Sequence, residues 1–255
     1  MRKVALTIII FLLLSSLLVV LYSPYTLTDI DTQSRLLNPT HEHLLGTDSL
    51  GRDLLYRTAL GFLISFSIAL SVSILSLLIS TIIGLLSSEF ELFDLIVMRL
   101  LDGIKAIPGF ILALFFMAIR GAGIMNLIII LTLVSLPSFS YLIKQAASSV
   151  KQELFIEATK SMGASRSYIL FHSVLPHISD VTFSQLTLTF TSTVLIESSL
   201  SYLGVGLVPP LPSLGSLLMN GKEAIFTHPI EVIIPSLLLF SLTFCIKKLE
   251  AKAKN

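Results

Sequence analysis

"FIEATKSMGASRSYILFHSVLP", residues 155–176, is a charged segment with a single glycine, and long apolar stretches lie on both sides of it. At helical spacing, Leu154, Ala158 and Met162 share one face of a helix, and Phe155 lies beside them. The acidic and basic residues of the same stretch fall on other faces. The pattern predicts a short amphipathic helix whose apolar face has no obvious partner within the chain.

A turn and a second helix are expected to follow. Gly163 ends the first helix, because glycine readily adopts the left-handed conformation found at helix C-termini. Ser165 is a suitable N-cap for a second helix, which Pro176 interrupts before the next apolar stretch. The segment therefore predicts two short helices joined by a tight turn.

The composition of the 255 residues places the chain in a membrane. Hydrophobic residues make up 54% of the chain and charged residues 13%, against about 25% charged in soluble domains. Three stretches, 4–22, 58–88 and 121–143, contain no charge. Each is long enough to cross a bilayer, which takes about 20 helical residues.

We predict a single all-α integral membrane domain over residues 1–255, with about six membrane-spanning helices. The predicted spans are 4–22, 63–87, 96–119, 121–143, 181–203 and 229–246. The approach to the third span carries charges such as Asp94 and Lys105, so this span is expected to enter the membrane late and to face other helices. The first span is too long for the apolar part of a signal peptide, about 7–15 residues, so we expect it to be retained.

Lysine and arginine residues set the expected orientation, because they are retained on the cytoplasmic side. Most of the 17 basic residues fall at the two termini, at the base of the third span and in the fourth connection if the N-terminus lies inside. This places both termini in the cytoplasm. It predicts a cytoplasmic loop over about 144–178, which contains the quoted segment, and an extracytoplasmic loop over about 23–57.

Several kinds of chemistry are not indicated. The stretch Gly215 to Glu223 has one residue too many for a phosphate-binding loop and lacks its hydroxyl. A net charge of +1 and membrane spans on both sides of the helix-turn-helix argue against nucleic acid. Cys245 is the only cysteine, so the chain forms no internal disulfide. We found no catalytic constellation and predict that the chain is not an enzyme.

Histidines and one glutamate leave alternatives open. A pair of histidines at positions 41 and 43, or the pair His172 and His177, offers fewer than the roughly three or four ligands that a metal site needs. We interpret them as surface residues. Glu197 lies in the fifth predicted span, where a carboxylate is costly unless it is paired or hydrated. It is either a structural partner of a neighbouring helix or, with Ser198, part of a solute path.

Three separated motifs resemble the inner-membrane permease subunits of ABC importers, in the dipeptide, oligopeptide and nickel branch. Glu157-Ala158-Thr159 followed by Gly163 is similar to the family's "EAA" loop, with threonine in place of the second alanine. "HLLGTDSLGRDLL", residues 43–55, resembles the branch's entry to the second span. "ESSLSYLGVGLVPPLPSLGSLL", residues 197–218, resembles a later stretch of the branch, with Leu214 where tryptophan is usual. The tail lacks the branch's usual ending.

The resemblance implies a role for each part. The short helix would be the coupling helix that rests on an ATPase subunit, and its implied contact residues are Leu154, Phe155, Glu157, Ala158, Met162, Gly163, Ala164, Ser165 and Arg166. The "GTDSLGRD" loop would shape the outer mouth or form an interfacial elbow. The chain itself would bind no cofactor, metal or nucleic acid.

Partners and substrate are also implied by the resemblance. A second homologous permease subunit, two ATP-binding subunits holding ATP and magnesium, and an extracytoplasmic binding protein or lipoprotein would complete the transporter in a bacterial or archaeal cytoplasmic membrane. The solute would be a di- or oligopeptide, nickel or a metal chelate. The alternative is a secondary transporter that couples solute to an ion at Glu197.

Overall fold

The computed structural model of the chain describes residues 2–250, and all regular structure within that range is helical. The terminal lysines at 252 and 254, part of the basic tail used for orientation, lie outside the described residues. The helices in chain order are α1 (Arg2–Tyr22), α2 (Leu54–Glu89), α3 (Glu91–Lys105), α4 (Gly109–Arg120), α5 (Ile124–Val150), α6 (Leu154–Ser161), α7 (Arg166–Tyr168), a π-helical turn (Ile169–Val174), α8 (Leu175–His177), α9 (Ser179–Tyr202), α10 (Leu214–Gly221), a 3-10 turn (Lys222–Ala224) and α11 (Ile230–Glu250).

Four of the described helices, α1, α2, α5 and α11, are long and apolar enough to cross a membrane, and a fifth span is possible if α3 and α4 count as one. The predicted all-α membrane fold is confirmed, but the count of six needs correction. The predicted third span is not one straight helix, because α3 and α4 meet at an angle of 83°. Pro108 lies at the break and is the N-cap residue of α4. Proline ends the preceding helix because the residue before it disfavours helical geometry.

The predicted span at 181–203 corresponds to α9, which has the expected length but not the expected hydropathy. Nearly half of its residues are serine or threonine. Many of their hydroxyls donate to backbone carbonyls one turn earlier, as Thr191 does to Thr187 at 2.9 Å. α9 is therefore a helix of mixed polarity, with one face buried against the bundle and side chains such as Leu188 and Leu195 exposed on another.

The 36-residue α2 is the central helix and packs against α1, α5 and α9. Its buried face is rich in small residues, which let helix backbones approach each other closely. At Gly84, an added Cβ would lie only 2.6 Å from Cβ of Ile143 in α5. α4 and α5 are joined by a short turn, since Gly121 leaves α4 with a φ of 86° and α5 begins at Ile124.

Three apolar clusters fill the bundle. One joins α1, α2, α9 and α11, and a second joins α2, α4, α5 and α9. The third surrounds Leu85 of α2, Phe139 and Ile143 of α5, and the helices that follow α5. This third cluster attaches the quoted segment to the membrane helices.

Candidate functional site

The short helix α6 has two different apolar surfaces. Ile156 is fully buried in the cluster that contains Leu85. On another face, Leu154 and Met162 are 80% and 79% exposed, and Ala158 between them is exposed as well. The predicted apolar stripe is therefore open to the surroundings, while a residue that the sequence pattern did not single out anchors the helix. Burial of one such leucine is worth about 1.5–3 kcal/mol.

The turn after α6 has the geometry of a Schellman motif. Gly163 has a φ of +84°, its N–H donates to Lys160 O at 2.9 Å, and the N–H of Ala164 donates to Thr159 O at 3.3 Å. Ser165 then caps α7 by accepting a hydrogen bond from the N–H of Tyr168. The predicted helix, turn and N-cap are confirmed. The second helix differs from expectation in two respects. It contains a π-helical turn at Ile169–Val174, and helical structure continues through Pro176 to the end of α8 at His177.

Most of the remaining residues of the predicted contact set are also exposed. Glu157, Gly163, Ser165 and Arg166 are exposed, and Ala164 is half-buried. Phe155 is turned aside, because its ring stacks on His177 with centroids 4.6 Å apart. The structure thus brings the predicted coupling residues together at one end of the bundle, and their role stays a prediction.

His43 and His172 each stack on a tyrosine ring. His172 stacks on Tyr168 with centroids 4.8 Å apart, and His43 stacks on Tyr25 at 4.9 Å. No group of three or more histidine, cysteine, aspartate or glutamate side chains that could hold a metal ion occurs within residues 2–250. Each of these two rings therefore has an aromatic packing partner.

Glu197 is completely buried between α9, α2 and the start of α10. Its Oε2 accepts a hydrogen bond from Ser65 Oγ at 2.9 Å, and its Oε1 accepts one from Ser201 Oγ at 2.8 Å. Ser198 Oγ lies 3.4 Å from Oε2. Ser65 Oγ in turn accepts from the N–H of Leu214, the first residue of α10. A buried carboxylate with these partners links three helices.

Glycines let the backbone close around this carboxylate. An added Cβ at Gly215 would lie 2.0 Å from the carbonyl oxygen of Ser198, and one at Gly206 would lie 2.1 Å from Ser201 Oγ. Such distances are far inside van der Waals contact, so these positions require glycine. The geometry favours the structural alternative for Glu197, and its place in a solute path, with Ser198, stays a prediction.

The "GTDSLGRD" loop, residues 46–53, folds onto the start of α2. Asp53 caps α2 by accepting from the N–H of Tyr56 at 2.7 Å. Asp48 accepts from the backbone N–H and the guanidinium of Arg52, and Arg57 Nε lies 3.5 Å from the same carboxylate. An Arg57 nitrogen also lies 3.4 Å from Pro210 O, which ties the loop to the segment before α10. The motif forms a buried charged junction.

A hydrogen bond within the loop between α1 and α2 stabilises this loop. The Tyr25 hydroxyl donates to Glu42 O at 2.7 Å. A tyrosine phenol is protonated at neutral pH and can donate. Burial, with the carboxylates of Asp53 and Glu42 nearby, raises the pKa of the Tyr25 phenol further. The predicted loop 23–57 is shorter than expected, because α2 already begins at Leu54.

A hydroxyl-lined groove of about 310 Å³ runs between α5 and α9. Its polar lining consists of Ser135, Ser138, Gln185, Thr189, Ser192 and Thr193. Ser138 also lines a second groove along α5, whose polar residues are Lys105, Tyr141, Lys144, Gln145 and Ser148. The two grooves form a polar track along one side of α5, and sequence analysis did not identify it. The signal was available in the three- and four-residue spacing of polar side chains along α5.

Residues 76–251 match a family described as the inner membrane component of binding-protein-dependent transport systems. The chain belongs to this family of permeases. The glutathione transport system permease protein GsiD of Pectobacterium atrosepticum is 34% identical to this permease over 203 residues, which cover 79% of this chain and 67% of that protein. The dipeptide transport system permease protein DppC of Alkalihalophilus pseudofirmus is 30% identical over 252 residues, which cover 96% and 83% of the two chains.

Among solved structures, the permease is similar to a chain of the MetNI methionine ABC transporter in an inward-facing conformation. The TM-score is 0.62, and the match covers 79% of this permease and 98% of that chain. The sequence identity is 15%, so this likeness concerns the fold alone. The family and the fold implied by the three sequence motifs are both confirmed.

Proposed function

We propose that this permease moves di- or oligopeptides across the cytoplasmic membrane of a bacterium or archaeon, using ATP hydrolysed by separate subunits. Relatives that match most of the chain are named for dipeptide and glutathione transport, and glutathione is itself a small peptide. Peptide is therefore the solute class that we favour over nickel or a metal chelate. Transport would need a second homologous permease subunit and an extracytoplasmic binding protein or lipoprotein.

The observation that carries the proposal is the open apolar stripe on α6. Leu154, Ala158 and Met162 are exposed on a helix that Ile156 fixes to the bundle. An exposed apolar face on an anchored helix favours a protein partner, because burial of that face releases ordered water. The partner that we propose is an ATP-binding subunit in the cytoplasm. ATP and magnesium would be held by that subunit, with no catalytic role for this chain.

The orientation follows from the same assignment. If α6 contacts a cytoplasmic ATPase subunit, the loop over about 144–178 and both termini lie inside. The loop between α1 and α2 then lies outside, where the "GTDSLGRD" junction would shape the outer mouth. The basic residues placed on the inner side by this orientation agree with the positive-inside rule.

The solute path that we propose is the polar track along α5 and α9 rather than the Glu197 cluster. A row of hydroxyl and amide side chains such as Ser135, Ser138 and Gln185 is unfavourable against lipid. These groups can hydrogen-bond to water and to peptide amides in a passage completed by a second permease subunit. The side chain of Glu197 has no such access, because it is completely enclosed.

This enclosure also bears on the alternative of an ion-coupled secondary transporter. An ion site must load and unload during each cycle, and a carboxylate already bound to Ser65 and Ser201 would first have to lose those hydrogen bonds. We therefore favour ATP-driven transport. Uptake of peptide by this chain in vesicles that lack ATPase subunits would support the alternative.

The proposed function can be tested in vesicles that contain the complete transporter. We expect ATP-dependent uptake of a labelled dipeptide, and no comparable uptake of nickel. Leu154→Asp is expected to weaken binding of the ATPase subunits at least about tenfold, since burial of one leucine is worth more than the 1.4 kcal/mol that corresponds to a factor of ten. The measurement is an affinity titration of the ATPase subunits on the permease in detergent.

The matched control is Leu44→Asp, because Leu44 is a comparably exposed leucine, at 62%, in the loop between α1 and α2. It is expected to leave binding of the ATPase subunits unchanged. Equal affinities for the two variants would contradict the proposed role of α6.

A further inference from the structure

Three charged side chains meet where α2 ends, beside the segment that carries α6. Glu89 is the last residue of α2, and its Oε2 forms an ion pair with Lys151, the residue that follows α5. Its Oε1 lies 3.5 Å from Nε of Arg166, the first residue of α7. One carboxylate therefore contacts the chain on both sides of α6.

The pair between Glu89 and Lys151 is the stronger of the two contacts. Both side chains are largely buried, at 18% and 15% exposure, whereas the Arg166 side chain is 74% exposed. Water screens an exposed pair, so Arg166 contributes little. Lys151 Nζ also donates to Ser88 O at 2.7 Å. A lysine at this position satisfies an unpaired carbonyl of the last turn of α2 and opposes the negative end of its dipole.

An apolar contact region lies directly beside these charges. Leu85 precedes Glu89 by four residues and so lies on the same face of α2. Leu85 belongs to the buried cluster that contains Ile156, the anchor of α6. The last turn of α2 is thus attached to the α6 segment by an apolar cluster and by an ion pair.

We propose that Glu89 is a positioning residue that, through Lys151, joins the end of α2 to the start of the segment that carries α6, so that a displacement of α6 moves α2. This inference rests on the proposed function, in which an ATPase subunit displaces α6. α2 packs against both α5 and α9, the helices that line the polar track. A movement passed on by Glu89 would therefore change the width of the proposed solute path.

The test compares Glu89→Gln with Glu91→Gln in the complete transporter reconstituted in vesicles. Glutamine keeps the size of the side chain and removes the charge that holds Lys151. We expect Glu89→Gln to bind the ATPase subunits and to hydrolyse ATP like the wild type, while import per ATP hydrolysed falls about fivefold, the lower end of the range typical of coupling between two sites. Glu91 is exposed and lies two residues away in α3, so Glu91→Gln is expected to keep wild-type coupling.

A second variant series tests the pair itself. Lys151→Gln is expected to lower import per ATP by a similar factor, and the double variant Glu89→Gln/Lys151→Gln is expected to lower it no further, because the contact is already lost in each single variant. Independent effects that multiply in the double variant would overturn the inference. So would a parallel loss of ATPase-subunit binding in Glu89→Gln, which would show that Glu89 merely shapes the docking surface.

The outcomes separate this inference from the proposed function. If the wild-type transporter imports peptide with ATP but Glu89→Gln matches Glu91→Gln, only the role of Glu89 is overturned. If the wild-type transporter shows no ATP-dependent import, the proposed function is overturned, and the role of Glu89 falls with it.

Discussion

Two regions of the molecule each contain a glutamate and a glycine: the segment 154–166 around α6, and the junction between α9 and α10. The glutamate and glycine are exposed in the first region and tightly enclosed in the second. At α6 the glutamate, Glu157, is exposed and no atom lies within 4 Å of a Cβ added at Gly163. At the junction the glutamate, Glu197, is fully enclosed and a Cβ at Gly215 would collide with the backbone of α9. The first region places apolar groups outside, and the second places polar groups inside.

This difference distinguishes a region whose polar groups are all satisfied within the chain from a region whose apolar groups need a partner protein to cover them. The hydroxyls of Ser65 and Ser201 satisfy the buried carboxylate within the same chain, so the junction needs nothing further. Leu154 and Met162 have no such partners within their own helix and remain exposed. Substitutions at the junction should therefore affect stability, and substitutions on the open face of α6 should affect assembly.

The largest effect is expected for Gly215→Ala. Its new Cβ would lie 2.0 Å from Ser198 O and 2.6 Å from two other backbone atoms of Ser198, and backbone cannot rotate away as a side chain can. We expect a loss of about 3 kcal/mol or more in the free energy of unfolding. Heating in detergent with a thiol-reactive dye would measure it, because the single cysteine, Cys245, is buried and reacts only on unfolding.

Gly103→Ala is the matched control. Gly103 lies in α3 with no atom within 4 Å of an added Cβ, so alanine should stabilise the helix by up to about 1 kcal/mol. A Gly215→Ala protein as stable as Gly103→Ala would show that α9 and α10 are not closely packed, and the contrast between the two regions would be lost.

An intermediate effect is expected for Glu197→Leu. Leucine offers no acceptor, so the buried hydroxyls of Ser65 and Ser201 lose their partner, at a cost of about 1–3 kcal/mol. Glu197→Gln keeps an acceptor oxygen, and a serine hydroxyl can accept from its amide, so it should cost less. Uptake should fall in proportion to the amount of folded protein. An unchanged unfolding temperature together with abolished uptake in both variants would instead support Glu197 as part of the solute path.

The smallest effect on stability is expected for Gly163→Ala. The position has space for a methyl group but a φ of +84°, which costs a residue with a Cβ about 1–2 kcal/mol. Asparagine tolerates this conformation better, so Gly163→Asn should be closer to the wild type. Unfolding temperature and binding of the ATPase subunits can be measured on the same samples. If Gly163→Ala lowered the free energy of unfolding as much as Gly215→Ala does, the proposed difference between the two regions would be contradicted.

Local signals explain what the sequence predicted well. The α6 helix, its Schellman turn and the Ser165 cap depend on residues within a few positions of one another, so spacing and turn chemistry reveal them. Each of the three motifs that indicated the family is likewise a single short stretch of the chain. Span positions were predicted from hydropathy, which shows how long an apolar stretch is but not whether the helix changes direction within it. The 83° bend between α3 and α4 was therefore missed, although Pro108 marks its position.

Contacts between distant residues explain what was missed. The Ser65 partner of Glu197 lies 132 positions away, and the Lys151 partner of Glu89 lies 62 positions away. No local pattern pairs such residues. The burial of Ile156 was hidden for the same reason, because its neighbours come from α2, α5 and the helices beyond the turn. The open stripe of α6 was predictable, whereas its attachment to the bundle required the structure.

The length of α2 has a geometric consequence. At 1.5 Å per residue its 36 residues extend about 54 Å, well beyond the roughly 30 Å of a bilayer's hydrocarbon core. If α2 stays rigid, both tips project into water, and any rocking about its middle swings them in opposite directions. Spectroscopic probes attached at the two ends of α2, one on each side of the membrane, would then report displacements in opposite directions.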